Sequence, residues 1–362
     1  MQLLTEETVK NLLRQVRDPY GESDIVSLGW LRSIGIDGDQ VAVDLRAGYP
    51  LDGFRESLLG QIRARLESDP QIASASVSLD WRVFAHQVQG ELKPMEQIRN
   101  IIAIASGKGG VGKSATAVNL ALALAADGAR VGILDADIYG PSMPRMLGIS
   151  GRPATIGKRI LPQRAYGLQA MSIGFMVEDD TPMIWRGPMV TSALQQLLTE
   201  TNWENLDFLV VDLPPGTGDI QLTLAQKVPV SGAVVVTTPQ DIALLDARKA
   251  VQMFHRVEVP VLGVVENMST HICSQCGHEE AIFGTGGGQK MATEYELPLL
   301  GQLPLDLSIR ANLDRGVPSL VADPESEISV RYRECARRVA SLLAQRPRSL
   351  NLNLPKIQVQ NS

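Results

Sequence analysis

The sequence contains few cysteines, only 3 among 362 residues. This small, odd number does not provide the disulfide framework of a small secreted domain, and it favours a reducing compartment such as the cytoplasm. The first residues lack the basic start and the apolar core of a signal peptide. No apolar run approaches the ~18 residues that a membrane-spanning helix needs. Together these absences predict a soluble, cytoplasmic protein.

An excess of positive charge is also absent. Lysine and arginine number 34 against 40 aspartates and glutamates, which gives a formal net charge of −6. Such a chain has no overall attraction to nucleic acid or to an anionic membrane, so we expect neither a nucleic-acid partner nor a stable membrane association. With 44% hydrophobic and 20% charged residues, the composition is that of a globular protein. At roughly 150 residues per domain, the length predicts two domains.

Residues 1–85 have the pattern of a small α/β domain. Thr5 precedes a helical pattern with two acidic residues in its first turn, as an N-cap does. Asp37-Gly38 separates two alternating segments and predicts a β-hairpin. Residues 86–100 are mostly polar and contain Pro94, so we predict a linker there.

From residue 101 to residue 346 the pattern changes to short apolar strands that alternate with helical segments. The strands are predicted at NIIAIAS, RVGILDAD, FLVVDLPPG, GAVVVTTP and VLGVVENMS. Nearly continuous apolar strands are typical of parallel strands buried on both faces. The fold class is therefore α/β: a doubly wound, mostly parallel sheet with helices on both faces, whose ligands bind at the carboxyl ends of the strands. Residues 347–362 are predicted to form a flexible tail.

A glycine-rich segment, ASGKGGVGKSA, follows the first of these strands and opens a helix. It satisfies the P-loop pattern G-x-x-x-x-G-K-[ST] in the strand–loop–helix context that confirms it. Backbone N–H groups of such a loop surround phosphates, and the helix N-terminus adds positive charge. The residues predicted to bind nucleotide here are Gly107, Lys108, Gly109, Gly110, Val111, Gly112, Lys113 and Ser114. We expect Lys113 to reach the β- and γ-phosphates and the Ser114 hydroxyl to ligate Mg²⁺.

Three aspartates lie where apolar strands end. Asp212 precedes a glycine turn in VVDLPPGTGD, which is the Walker B position that holds Mg²⁺ through water. Asp135 and Asp137 are two residues apart and therefore lie on the same face of their strand. An aspartate at a strand end also serves as a turn former or helix cap, so this alternative stays open for Asp135 and Asp137. Asn267 in VVENMST lacks the following aspartate that would pair with guanine, which favours ATP as the nucleotide.

A candidate metal-binding motif is the Cys273-x-x-Cys276 pair in HICSQCGH. Zinc and iron–sulfur clusters normally take four protein ligands, so the pair is half a metal site. A zinc site within one chain could use His271 and His278, but a single residue between each histidine and its cysteine is a tight spacing for a tetrahedron, and the usual Cys-Cys-His-His site separates its pairs by a dozen residues or more. A disulfide-exchange pair would begin a helix after a strand, whereas a glycine follows here. Two chains would supply four thiolates, enough for one [4Fe–4S] cluster or one zinc ion. Cys335 lies on an apolar helical face and is predicted to be in the core.

Taken together, the motifs resemble the Mrp/ApbC family of ATP-binding iron–sulfur cluster carriers. They fall in order between residues 106 and 310: SGKGGVGKS, DADIYGPSMPRMLG, WRGPMV, DLPPGTGD, TTPQDIALLDARKA, VENMS, CSQCG, IFGTGGG and LPLDLSIR. The resemblance implies a slow ATPase, a [4Fe–4S] cluster held by a homodimer, and transfer of the cluster to apoproteins. It favours a cluster over zinc. The N-terminal unit, with RDPYGESDIVSLG, resembles the MIP18-type domain that is fused to many members of that family.

The P-loop also resembles the deviant Walker A group that includes MinD, ParA and the nitrogenase iron protein. In that group the lysine at the position of Lys108 crosses a dimer interface and contacts the partner's phosphates. The resemblance therefore implies a homodimer. It also implies that Asp135 supports the water shell of the metal, that Asp137 orients the attacking water, and that Gly216 senses the γ-phosphate.

In one position the N-terminal unit departs from the MIP18-type pattern. Stand-alone domains of that type often carry a reactive cysteine near the turn written here as AGYPLDGF, where this chain has Tyr49. No cysteine occurs before Cys273. We therefore expect that residues 1–85 hold no cluster through thiols and act as a docking module for apoproteins or for a cluster scaffold.

A second function is a MinD- or ParA-like positioning ATPase that acts on membrane or DNA. The segment RYRECARRVASLLAQRPR carries six arginines between residues 331 and 348 on a predicted amphipathic helix. Such a helix can lie on an anionic membrane. An apolar stripe with a charged outer face is also the normal pattern of a surface helix. The membrane function leaves Cys273 and Cys276 without a role, so the carrier function is favoured.

Overall fold

The computed structural model describes residues 4–138, 140–176, 187–273 and 275–349. Residues 185 and 186 of the WRGPMV motif lie outside this range, as does most of the predicted tail. Five elements form the N-terminal unit: α1 (Glu6–Leu13), β1 (Leu31–Asp37), β2 (Gln40–Ala47), α2 (Arg55–Leu66) and β3 (Ser74–Trp81). Thr5 caps α1, because its Oγ1 accepts a hydrogen bond from the N–H of Thr8 at 3.2 Å. The predicted hairpin is confirmed, since β1 and β2 are antiparallel and β3 joins β2 in parallel.

A larger sheet forms the second unit. The strands of this sheet are β4 (Ile98–Ala105), β5 (Val131–Asp135), β8 (Gln163–Ala165), β9 (Leu168–Ser172), β10 (Leu206–Asp212), β11 (Gly232–Thr237), β12 (Val261–Ile272), β13 (Glu279–Glu280) and β14 (Leu299–Leu305). Between β5 and β8 in the chain, β6 (Thr155–Ile156) and β7 (Arg159–Ile160) form a separate hairpin. The helices are α3 (Lys113–Ala126), α4 (Met143–Met146), α5 (Gly187–Glu200), α6 (Asp219–Lys227), α7 (Asp241–Arg256), α8 (Gly287–Glu294), α9 (Leu307–Asp314), α10 (Ser319–Ala322) and α11 (Glu327–Ala344), with a 3₁₀ helix at Ile173–Phe175.

In the described residues, this larger sheet has the order β13-β12-β11-β4-β10-β5-β9-β8, and β14 also pairs with β12. The pairs that join β5, β10, β4, β11 and β12 are all parallel, whereas β8 and β13 add antiparallel edges. The predicted doubly wound, mostly parallel sheet is therefore confirmed. Alternate residues of β4 enter two separate hydrophobic clusters: Ile102 and Ile104 face α3 and α11, and Ile101 and Ala103 face α5 to α7.

The N-terminal unit packs against α11 and the end of α3, and its apolar residues belong to the same hydrophobic cluster as these helices. Arg337 of α11 contacts residues of both units at this interface. Its guanidinium donates to Asp127 at 2.7 and 2.8 Å and to the Tyr20 hydroxyl at 3.0 Å, and it lies over the Phe54 ring at 4.7 Å. Asp127 is the C-cap of α3, and its carbonyl accepts the N–H of Asp52. The helix that begins at the P-loop therefore ends against the N-terminal unit.

The predicted linker is fixed to the second unit. The Gln89 side chain is buried, with its amide nitrogen 2.6 Å from the carbonyls of Ala225 and Val228 and its oxygen accepting the N–H of Val230 at 3.0 Å. Strand β4 begins at Ile98, so the last residues assigned to the linker belong to the sheet.

The first residues of the predicted tail are hydrogen-bonded to the chain around the start of the linker. The Pro347 carbonyl accepts the N–H of Gln87, and the N–H of Ser349 donates to Ala85, both at 2.9 Å. The tail therefore does not begin at residue 347, and residues 350–362 lie outside the described chain.

Replacement of Arg337 by methionine is expected to lower the free energy of unfolding by about 3 kcal/mol, because Asp127 would stay buried without its counter-charge. The Arg337 and Asp127 side chains are only 11% and 4% exposed. Urea denaturation of the full chain measures the change. Arg331→Met on the same helix is the matched control, since Arg331 pairs with an exposed Glu327, and it should lose less than about 1 kcal/mol. Equal losses in the two variants would contradict the role assigned to Arg337.

Candidate nucleotide site and cysteine hairpin

The P-loop joins β4 to α3 at the carboxyl edge of the sheet, where doubly wound folds bind ligands. Gly112 has φ = 81°, and a Cβ atom there would lie 2.1 Å from Nδ2 of Asn267. A Cβ atom on Gly107 would lie 2.1 Å from the carbonyl carbon of Asp246 in α7. Only glycine permits these close approaches, so packing fixes both ends of the loop.

Lys113 and Ser114 begin α3 and meet the end of β10. The Lys113 side chain is buried, with its Nζ 2.5 Å from Oδ1 of Asp212 and 3.7 Å from Oδ2 of Asp137. Ser114 Oγ donates to Oδ2 of Asp212 at 2.5 Å. The structure therefore brings four predicted site residues together at a helix N-terminus, where backbone N–H groups and the helix dipole favour anions.

Asp135 lies beside Asp212, because β5 and β10 are parallel neighbours with these two residues in register. Both carboxyl groups are fully buried. Burial, followed by the charge of Asp212, raises the pKa of Asp135 to about 7. Burial also raises the pKa of Asp212, against the opposing effect of Lys113. Two neighbouring carboxyl groups with raised pKa values mark a functional site, since an added cation would stabilise their charged forms.

The Asp135 carboxylate organises the loop that follows β5. It accepts the backbone N–H groups of Asp137 at 3.2 Å, Ser142 at 3.0 Å and Met143 at 3.1 Å, and the hydroxyl of Ser172 at 3.0 Å. No sequence pattern indicates Ser172, because it lies 37 residues from Asp135 in the chain. It reaches Asp135 only through the pairing of β5 with β9.

These residues fit a magnesium nucleotide. The Ser114 hydroxyl and the Asp212 carboxylate are the hard oxygen ligands that Mg²⁺ prefers, and they already touch each other. Lys113 and the N–H groups of the loop supply positive charge for phosphates. Asp137 lies near the Lys113 ammonium with its side chain 13% exposed, at the rim of the site where a water molecule has access.

The remaining predicted nucleotide residues surround this centre. Gly109 and Gly110 are exposed, whereas Val111 is buried. Lys108 is half-buried, and its carbonyl accepts the Ser106 hydroxyl at 2.9 Å. Gly216 has φ = 102°, and its N–H donates to the Ser106 carbonyl at 2.9 Å, which ties the turn after β10 to the P-loop.

Asn267 has a role that its sequence context did not reveal. It is 6% exposed, and its amide nitrogen donates to the Val111 carbonyl at 2.9 Å. This contact supports the backbone of the phosphate-binding loop. Contact between Asn267 and the base of the nucleotide stays a prediction.

Cys273 and Cys276 lie in the turn between β12 and β13, an antiparallel hairpin at the edge of the sheet. The Cys273 N–H donates to the carbonyl of His278, and the Gly277 N–H donates to the carbonyl of Cys273, both at 2.9 Å. Backbone N–H groups of Gln275 and Cys276 point at the Cys273 sulfur and lower its pKa. Hydrogen bonds of this kind stabilise a thiolate, which is the form that binds metal. Cys276 is exposed and Cys273 half-buried, so both are accessible from outside the chain.

The neighbouring histidines do not complete a site within one chain. The His271 ring lies 3.2 Å from the Leu305 carbonyl, and the exposed His278 contributes its backbone to the turn. Across the described ranges, no group of three or more histidine, cysteine, aspartate or glutamate side chains is placed to hold a metal. Cys335 is fully buried in α11, which confirms its predicted place in the core.

Known protein families match both units of the chain. A family model described as "NUBPL iron-transfer P-loop NTPase" matches residues 97–340, and a model described as "Iron-sulfur cluster assembly protein" matches residues 6–79. An iron-sulfur cluster carrier protein of Salmonella typhimurium is 64% identical over 341 residues, which are 92% of this chain and 91% of the relative. The iron-sulfur cluster transfer protein NUBPL of Mus musculus is 50% identical over 258 residues, 70% of this chain and 81% of the relative.

The fold of this chain is also similar to that of a solved structure. The nucleotide-binding protein of Archaeoglobus fulgidus in complex with ADP shares 35% sequence identity and a TM-score of 0.57, covering 64% of this chain and 91% of that one. The first family model spans the P-loop, all three strand-end aspartates and the cysteine hairpin. This chain belongs to the NUBPL iron-transfer P-loop NTPase family.

Proposed function

We propose that this protein is an ATP-dependent iron–sulfur cluster carrier that binds a [4Fe–4S] cluster between two copies of the chain and transfers it to apoproteins. The observation that carries the proposal is the presence of two sites in one chain. One is the Lys113–Ser114–Asp212 constellation at the P-loop, and the other is the accessible Cys273-x-x-Cys276 turn with N–H groups directed at sulfur. The names of the related carrier and transfer proteins support the same function.

The role of ATP in this proposal follows from the geometry at the P-loop. Bound Mg²⁺ neutralises phosphate charge, and Ser114 and Asp212 would hold it. Lys113 would neutralise the β- and γ-phosphates, and Asp137 would accept a hydrogen bond from the attacking water. Hydrolysis is slow, in keeping with a nucleotide that times the binding or release of a cluster.

Anaerobic reconstitution followed by transfer to a [4Fe–4S] apoenzyme tests the carrier function. The loaded protein should show the absorbance of a [4Fe–4S] cluster and should restore the activity of the acceptor. Addition of Mg–ATP should change the transfer rate, and a non-hydrolysable analogue should not reproduce the full change. The control is the double variant Cys273→Ala/Cys276→Ala with the same amounts of iron and sulfide. If this control activates the acceptor as well as the parent does, the protein is not the carrier.

The homodimer in this proposal explains Lys108. Its side chain has no ion pair within the described part of the chain, although it belongs to the phosphate-binding loop itself. A cation in that position can reach phosphates bound by a second copy and stabilise the charge of the transferred phosphoryl group, as an arginine finger does.

Lys108→Ala is expected to bind ATP nearly as well as the parent chain and to hydrolyse it at least about a hundredfold more slowly. Mixing it with Lys113→Ala should restore activity, because one of the two sites in each mixed dimer has Lys113 from one chain and Lys108 from the other. A one-to-one mixture in which chains pair at random should regain roughly a quarter of the parent activity. ATPase assays of the variants alone and mixed measure this. If mixing restores nothing, Lys108 acts within its own chain.

The positioning ATPase is less well supported than the carrier. The apolar face of α11 is covered by the protein, since Tyr332, Cys335 and Val339 are buried. The arginines of α11 pair with acidic residues, in the pairs Arg331–Glu327, Arg333–Glu325, Arg337–Asp127 and Arg338–Glu334. This helix therefore has no apolar face available for a bilayer surface. None of the helices in the described residues is long and apolar enough to cross a membrane.

A further inference from the structure

A cavity of about 400 Å³ lies where the N-terminal unit meets the end of α11. Its polar and charged lining includes Asp18, Trp30, Arg46, Ser341, Arg346 and Arg348. The walls come very close to each other at two glycines. A Cβ atom on Gly48 would lie 3.0 Å from Cβ of Ala344, and one on Gly21 would lie 3.0 Å from Oγ of Ser341. The cavity is therefore a closely fitted junction between the two units.

The charges around this cavity are unequal. Three guanidinium groups face one carboxylate, and Asp18 is already engaged by other donors. Its Oδ1 accepts the Tyr49 hydroxyl and the Tyr20 N–H, and its Oδ2 accepts the Ser341 hydroxyl at 2.5 Å. No ion pair in the described residues joins Asp18 to an arginine. The positive charge of the cavity is thus not balanced from within.

Two of the arginines have buried donors without an acceptor. Nε of Arg46 and Nε of Arg346 are buried and form no hydrogen bond with any described residue. Arg46 reaches only Asp80, at 3.7 Å, and burial lowers the pKa of Arg346. Buried donors in proteins nearly always have a partner, so these two orphans point to an acceptor that binds in the cavity.

The position of Arg346 after α11 suggests a purely structural role, because arginine side chains near a helix C-terminus often bond the last carbonyls. The contacts do not support this role. The backbone N–H of Arg346 bonds the Leu343 carbonyl, but its guanidinium donates to no helix carbonyl among the described residues. Arg348 is held differently, with its guanidinium stacked 3.8 Å from the centre of the Phe84 ring.

We propose that this cavity is a binding site for a small organic anion with a carboxylate or phosphate group. Arg46 and Arg346 donate hydrogen bonds to the anion, since the planar guanidinium fork matches the geometry of both carboxylate and phosphate. Arg348 adds positive charge at the rim of the cavity. A volume of about 400 Å³ is within the range of small-molecule sites. The site is separate from the nucleotide and cluster sites. A bound anion would join the N-terminal unit to α11 and thereby stabilise their contact.

Titration calorimetry of the full chain with inorganic phosphate, and separately with succinate, tests the site. Saturating Mg–ADP keeps phosphate from the P-loop, and sodium chloride at equal ionic strength controls for general salt effects. The parent should bind at least one of the two anions saturably, and which one it binds identifies the preferred group. Arg346→Gln and Arg46→Gln should each weaken this binding at least tenfold. Arg14→Gln, an exposed arginine of the same unit that pairs with Glu7, should leave it unchanged.

Thermal unfolding separates a binding role from a structural one. In anion-free buffer, Arg346→Gln should be as stable as the parent or more stable, because it removes repulsion between neighbouring guanidinium groups. The parent should gain melting temperature on addition of the bound anion, and the variant should gain little. Arg346→Lys keeps the charge but loses the fork, and should bind more weakly than the parent. The proposal is overturned if the parent binds neither anion, or if parent and variants bind both equally.

Discussion

Lys113→Ala is expected to reduce ATP turnover by at least about a hundredfold, the loss that follows removal of a preorganised charge from a transition state. The lysine is held at 2.5 Å from Asp212 at the start of α3, so its ammonium is positioned before the substrate arrives. No other lysine side chain is paired with the aspartates of this site in the described ranges. Steady-state phosphate release with saturating Mg–ATP measures the effect, and ATP binding is measured separately by fluorescence of a labelled nucleotide.

The same substitution also removes the counter-charge of two acidic side chains, so a loss of activity needs a folding control. Asp212 is fully buried and Asp137 nearly so. Urea denaturation of Lys113→Ala measures how far the loss of the ammonium beside the buried Asp212 destabilises the fold. If the variant is still folded under the assay conditions and is inactive, the loss of turnover results from the missing lysine and not from unfolding. Lys249→Ala, an exposed lysine of α7 that pairs with Asp246, should keep full activity. Parent-like turnover in a folded Lys113→Ala would remove the assignment of this site.

The parts of the fold that the sequence predicted well are those that depend on local pattern. Nearly continuous apolar segments predict parallel strands at β4, β5, β10, β11 and β12, and the structure confirms all five. The P-loop is equally well predicted, because its pattern G-x-x-x-x-G-K-[ST] lies in one short segment between an apolar strand and a helix. Local periodicity and a short motif carry this information, since each depends on neighbours in the chain.

The features that sequence reasoning missed depend on contacts between distant residues. Gln89 looks like part of a polar linker, but its partners are 136 to 141 residues away. Ser172 bonds Asp135 only because β9 pairs with β5. Tyr49 stands where MIP18-type domains often carry a cysteine, and no local pattern predicts that its buried hydroxyl donates to Asp18 beside the proposed anion cavity. Such contacts follow from how the units pack, which no window of sequence specifies.

The N-terminal unit and the second unit bury their apolar surfaces against each other. The N-terminal unit shares a hydrophobic cluster with α3 and α11, and its removal would expose that cluster to water. A docking role for this unit, without a cluster of its own, is therefore better tested by point substitution in the full chain than by truncation. No cysteine occurs before residue 273, so the N-terminal unit supplies no thiol ligand.

Cys273→Ala and Cys276→Ala are each expected to abolish cluster binding, because every chain supplies only two of the four thiolates that a [4Fe–4S] cluster needs. The fully reconstituted parent should contain about two iron atoms per chain, equivalent to four per dimer. Iron and sulfide analysis, together with the mass of the reconstituted protein in solution, measures both quantities. Cys335→Ala should bind the same amount of iron, since that thiol is fully buried and burial raises its pKa to about 12.

The geometry of the hairpin explains why two half-sites suit a carrier. Both cysteines lie in an edge turn, and hydrogen bonds from backbone N–H groups lower the pKa of Cys273, so each chain would present two thiol ligands to a partner. In the proposed dimer, a cluster bridging two such turns would be released on separation of the subunits, whereas four ligands within one chain would retain it. His278→Ala should therefore keep the cluster, since the His278 ring is exposed and its backbone forms the turn. Four iron atoms in a monomer, or one zinc per chain that is lost with His271 or His278, would contradict the bridging site.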